Sequence, residues 1–82
     1  MKQILYFYGK FCSPCQTFKP TVELISQQYP VSFMDVDEYP QHVAEYGIMS
    51  VPTLVFLKDN RVVEKRSGVI NQYQIIQIYN SL

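Results

Sequence analysis

Two cysteines, Cys12 and Cys15, stand between a strand-like run and a helix-like run, a C-x-x-C pair at a strand-to-helix junction. Residues 3–8 are β-branched and aromatic and end at Gly9; they predict a buried strand. After the loop Gly9-Lys10-Phe11 comes Cys12-Ser13-Pro14-Cys15. Cys12 or Ser13 can cap a helix there, and Pro14 suits a first turn because its missing N–H has no partner at that position anyway. Phe18, Val22, Ile25 and Tyr29 then recur at helical spacing, with Pro20 expected to kink the helix and Pro30 to end it.

The remaining chain continues the alternation. Val31–Val36 predicts a second strand, with Val31 and Phe33 on one face and Ser32 and Met34 on the other. Asp37-Glu38-Tyr39-Pro40 reads as a turn, with Asp37 a candidate cap for a short helix around Val43, Ala44 and Tyr46 that Gly47 closes. Thr53–Leu57 is a third strand, Asp59-Asn60 a hairpin turn into Val62 and Val63, and Gly68 a break. Asn71 caps a last helix carrying Ile75, Ile78, Tyr79 and Leu82 on one face. The fold class is α/β: one domain over residues 1–82, in the order β-α-β-α-β-β-α, with a four-stranded mixed sheet flanked by three helices.

A first cysteine at a helix N-terminus meets unpaired backbone N–H groups and the positive end of the helix dipole, which favour its thiolate. Cys15, one turn later on the same face, can attack a mixed disulfide on Cys12 and expel the client thiol. Such a pair needs no cofactor beyond its own disulfide. A closed zinc site wants four ligands, and His42 and three Met are the only other nitrogen or sulfur candidates, so no metal is expected. His42 is expected at the surface. The formal net charge is zero, and Asp59 and Glu64 interrupt the basic residues Lys58, Arg61, Lys65 and Arg66. That pattern describes a solvated hairpin rather than a nucleic-acid surface. No run is long enough to span a membrane. Two cysteines and no signal-like start point to a reducing cytoplasm.

The segment from Tyr6 to Cys15 resembles the active-site segment of the thioredoxin family, and Pro20, Asp37-Glu38-Tyr39-Pro40, Tyr46-Gly47-Ile48, Val51-Pro52-Thr53 and Gly68 follow at that family's spacings. The resemblance implies a minimal version without the amino-terminal β-α unit. It implies a monomeric protein-disulfide reductase in cell redox homeostasis and electron transport, with Cys12 and Cys15 catalytic. It also implies a cis bond between Val51 and Pro52 facing the cysteines, with the Val51 backbone open to an extended client. Phe11, Met49, Ser50, Val51, Val69 and Ile70 would form an apolar rim, with Gly68 admitting a client backbone; Ser13, Pro14 and Tyr6 would support the site. Implied partners are protein disulfides, ribonucleotide reductase among them, and thioredoxin reductase or another dithiol donor.

The chain departs from the family in its central dipeptide, Ser13-Pro14 rather than the commonest Gly-Pro, and at a buried charge pair. The family's buried acid falls at Tyr6 and its partner lysine at Phe33, so both halves of a buried ion pair are replaced together. Cys15 is then expected to lose its proton to water, with the Tyr6 hydroxyl as a hydrogen-bond donor. Two alternatives stay open. One is a glutaredoxin-like reductase using glutathione, for whose carboxylates Lys10 is the evident cation; the other is a docking module with incidental thiols.

Overall fold

A computed structural model describes residues 1–82. The elements are β1 (Lys2–Tyr8), α1 (Ser13–Ser26), β2 (Val31–Asp35), α2 (Pro40–Glu45), β3 (Thr53–Lys58), β4 (Arg61–Ser67) and α3 (Gln72–Asn80). The sheet order is β2-β1-β3-β4. β1 runs parallel to β2 and antiparallel to β3, and β3 is antiparallel to β4. The two central strands, β1 and β3, are therefore the apolar ones, because both of their faces are covered.

The alternation of side chains sorts the core into two layers. Ile4, Tyr6, Leu54 and Phe56 face Phe18, Val22 and Ile25 of α1 and Ile75 of α3. Leu5, Phe7, Val55, Leu57 and Met34 face the other way, against Val43, Tyr46 and Ile48. Edge strand β4 is mostly exposed, and a bulge interrupts its register opposite Phe56 and Leu57. Asp59 and Asn60 both take positive φ at the hairpin turn, as their residue types allow.

Several expectations change in detail. α1 runs through Pro20 and stops at Ser26, so Pro30 does not end it. The N–H groups of Gln28 and Tyr29 both turn back to the Ile25 carbonyl, and Tyr29 packs edge-on against Tyr79 outside the helix. β2 ends at Asp35, one residue before Val36. Asp37 does not cap α2; the cap is Tyr39, without a side-chain hydrogen bond. Asp35 organises that turn instead. It is buried and must find donors: its carboxylate accepts from the Asp37 N–H at 2.9 Å, and its carbonyl accepts from Glu38 and Tyr39. His42 is not a free surface residue but is half-buried, with its ring against those of Tyr39 and Tyr46. Asn71 caps α3, and Gln74 answers it: each side chain accepts the other's backbone N–H.

These layers set the scale of substitution effects. Phe56→Ala empties a fully buried site and should cost about 3–5 kcal/mol. Asn71→Ala should cost about 1 kcal/mol, and Val63→Ala on the exposed edge within about 0.5 kcal/mol. Urea unfolding followed by circular dichroism measures all three; a Val63 effect as large as that of Phe56 would contradict this layering.

Candidate active site

The chain leaves β1 at Tyr8 and enters α1 at Ser13, with Cys12 as the N-cap in an extended conformation. The first turn of a helix has N–H groups with no carbonyl to bond. Here the Cys15 N–H donates to Cys12 Sγ at 3.1 Å, and the Gln16 N–H to the Cys12 carbonyl at 3.1 Å. Cys12 and Cys15 are joined in a disulfide, their Cα atoms 5.2 Å apart. The two sulfurs are not equivalent: Cys12 is half-buried at the surface, whereas Cys15 is 1% exposed. Ser13 and Pro14 lie between them on the outside.

Facing Cys12 is the loop that leads into β3. The Val51–Pro52 bond is cis, and Cys12 Sγ lies 3.8 Å from the Val51 carbonyl oxygen. Three contacts hold this loop. The Gly68 N–H donates to the Pro52 carbonyl at 2.8 Å, the Thr53 hydroxyl donates to the Ser50 carbonyl at 2.8 Å, and the Thr53 and Ser67 hydroxyls meet at 3.2 Å. Gly68 makes its contact from φ +88°, a conformation other residues rarely adopt. Cys12, Cys15, Val51, Pro52 and Gly68 thus come together.

Of the expected rim, Phe11 is 100% exposed, Met49 97% and Val69 52%, with Ser50 also exposed. Ile70 is different: it is half-buried against the α1–α3 core layer. Beside Val51 lies an apolar hollow of about 250 Å³ that also takes in Val36, Val43 and Ile48. Sequence reasoning gave Val36, Val43, Ile48 and Thr53 places in strands, helix and motif but none at the site, and it did not single out Ser67. The only hint was a threonine directly after Pro52. No group of three His, Cys, Asp or Glu side chains is arranged to hold a metal.

Beneath the disulfide the floor is aromatic. The Tyr6 ring stacks on Tyr8 and meets Phe18 and Phe33 edge-on. Its hydroxyl donates to the Cys15 carbonyl oxygen at 3.0 Å. The expected donor is present, but it is aimed at the backbone and not at the Cys15 sulfur. Burial, with smaller contributions from Tyr8 and Glu23, pushes the Tyr6 phenol up to about 12. The Tyr8 phenol is raised too, by burial first and then by Asp35 and Glu38. Lys10, in the loop before Cys12, approaches the Asp35 carboxylate at 4.0 Å.

The family model for thioredoxin matches residues 1–81. A thioredoxin-like protein of Synechocystis sp. is 39% identical over 75 residues, covering 87% of this chain and 71% of that one. Thioredoxin of Staphylococcus aureus is 36% identical over 70 residues, covering 80% and 67%. Among solved structures, a mutant thioredoxin from Halobacterium salinarum superposes with a TM-score of 0.90 at 33% identity, covering 98% of this chain and 73% of that one. Fasciola hepatica thioredoxin gives 0.87 at 26% identity, covering 98% and 79%.

The raised Tyr6 phenol has a signed consequence for stability. The folded chain holds this proton more tightly than the unfolded chain, whose tyrosines ionise near 10. The contribution is therefore complete below pH 10 and is lost as the pH climbs toward 12. Tyr6→Phe should lose about 1–2 kcal/mol at neutral pH with its hydrogen bond, and then decline less steeply than the parent across that alkaline window. Urea unfolding at a series of alkaline pH values tests this; parallel curves would refute it.

Proposed function

The chain belongs to the thioredoxin family, and from that premise we propose that its Cys12–Cys15 dithiol passes electrons to disulfides in client proteins. It is a thiol–disulfide oxidoreductase; the proposal concerns its clients and the division of labour between its sulfurs. One observation carries that division. Cys12 is accessible and accepts an N–H from the helix terminus, while Cys15 is buried behind it.

The Cys12 thiolate attacks one sulfur of a client disulfide. A Cys12–client disulfide forms, and the other client sulfur leaves as a thiolate. Cys15 then attacks Cys12 Sγ, the Cys12–Cys15 bond forms, and the second client thiolate departs. Two electrons have moved to the client, and a dithiol donor returns them. Thioredoxin reductase is the donor proposed here, and the setting a reducing cytoplasm.

An extended client would lie against the Val51 backbone in the manner of an added strand. Phe11, Met49, Ser50 and Val69 would meet its side chains, and Gly68 would leave room for its backbone. What supports this is that exposed Met49 adjoins the apolar hollow beside Val51, while exposed Phe11 directly precedes Cys12, so that apolar surface is grouped near the accessible sulfur rather than scattered. Pro52 lacks an N–H and leaves that side of the loop without a competing donor. The chain is taken to act as a monomer, and ribonucleotide reductase is one client class the family suggests.

Insulin reduction followed by turbidity provides the test. The parent chain should turn over with NADPH and thioredoxin reductase. Cys12→Ser should abolish turnover, and Cys15→Ser should accumulate a covalent insulin adduct on Cys12. Turnover with glutathione and its reductase alone would reassign the donor. An adduct on Cys15 in Cys12→Ser at the same rate would reverse the roles.

A further inference from the structure

Tyr6 is the one polar side chain that touches the backbone of the buried cysteine from below. Its hydroxyl donates to the Cys15 carbonyl at 3.0 Å, and both partners are enclosed. No side-chain nitrogen or oxygen hydrogen-bonds Cys15 Sγ; the polar contacts of Cys15 run through its N–H and its carbonyl. The rings around Tyr6 belong to Tyr8 on the same strand, Phe18 on α1 and Phe33 on β2, and the two phenylalanines carry no charge. The titratable groups that reach Tyr6 are Tyr8 and Glu23; Asp35, Glu38, Lys10 and Tyr39 act one step further out, on Tyr8. Across from Cys12 Sγ, the loop presents the Val51 carbonyl, just before the cis bond to Pro52.

We propose that Tyr6 is a positioning residue for the resolving step: it pins the Cys15 carbonyl, and with it the first turn of α1, and leaves the Cys15 thiol to surrender its proton to water. The inference rests on the reading of Cys12 as nucleophile and Cys15 as resolver. Tyr6 cannot serve as the base itself. A phenol whose proton is held to about 12 does not accept another near neutrality, and its hydroxyl proton is already committed.

In this step the Cys15 S–H gives its proton to water. Its sulfur attacks Cys12 Sγ, the Cys12–Cys15 bond forms, and the Cys12–client bond breaks with the electron pair leaving on the client thiolate. The Cys15 sulfur is oxidised, the client sulfur is reduced, and Cys12 passes from one disulfide to the other. Without a protein base, the rate follows the thiolate fraction of Cys15. With an ordinary thiol, that fraction grows about tenfold per pH unit below about 8. Positioning enters as a separate factor, since attack needs the sulfur of Cys15 held in line with Cys12.

Stopped-flow reaction of the reduced full chain with excess dithiobis-nitrobenzoate separates the steps. Attack by Cys12 releases one coloured thiolate, and resolution by Cys15 releases the second. The parent second phase should rise about tenfold per pH unit between about pH 6 and 8. Tyr6→Phe should keep that slope and slow the second phase about fivefold, more than it slows the first, for the loss of a hydrogen bond of about 1 kcal/mol. A parent second phase that levels off toward low pH would reveal a protein base and overturn the proposal. So would a Tyr6→Phe second phase no slower, relative to the first, than the parent's. The parent profile alone tests the proton path if Tyr6→Phe does not fold. Absence of the first phase in the parent would instead overturn the assignment of Cys12 on which this rests.

Discussion

The N–H of Cys15 lies in the first turn of α1, where no backbone carbonyl can reach it, and it bonds the sulfur of Cys12. Much of the site follows from this contact. It fixes Cys12 as the helix cap and so at the mouth of the β1–α1 junction. It directs the unpaired end of the helix at one sulfur and not the other. It also turns the next cysteine inward, so that a single turn of helix yields one accessible and one buried sulfur from two chemically identical residues. The thiolate form of Cys12 gains from the donor.

Two supports keep that turn in place. Above it, the Val51–Pro52 loop is tied to β4 through Gly68 and through the paired hydroxyls of Thr53 and Ser67. Below it, Tyr6 holds the Cys15 carbonyl while Phe18 and Phe33 close around its ring. The floor is neutral, and this suits its burial. An ionised group there would need a partner of opposite charge, and the residue paired with Tyr6 on the neighbouring strand, Phe33, offers no charge. A phenol meets the same packing demand with one hydroxyl to satisfy, and the carbonyl of Cys15 satisfies it.

Much of this was legible in the sequence, for physical reasons. β1 and β3 announce themselves because both faces are buried and the runs are nearly all apolar. Asp59-Asn60 announces the hairpin because both residues tolerate positive φ. The junction around Cys12 is legible because cap, Pro14 and helical period agree. The failures have different causes. The end of α1 goes with a distant contact, Tyr29 against Tyr79, whereas the cap of α2 and the surroundings of His42 are local and are decided by which side chains of that segment turn inward. Asp35, not Asp37, organises the turn because Asp35 is the residue whose burial demands donors. The aim of the Tyr6 hydroxyl was hidden likewise: composition shows a donor near the cysteines, but only the packing of β1 under α1 decides between carbonyl and sulfur.

The central claim is that the helix terminus makes one cysteine the nucleophile while burial withholds the other. Limited alkylation of the reduced chain with iodoacetamide near neutral pH, mapped by mass spectrometry, reads this directly. Modification at Cys12 should exceed that at Cys15 by about tenfold or more. Equal modification of the two, or preference for Cys15, would contradict it.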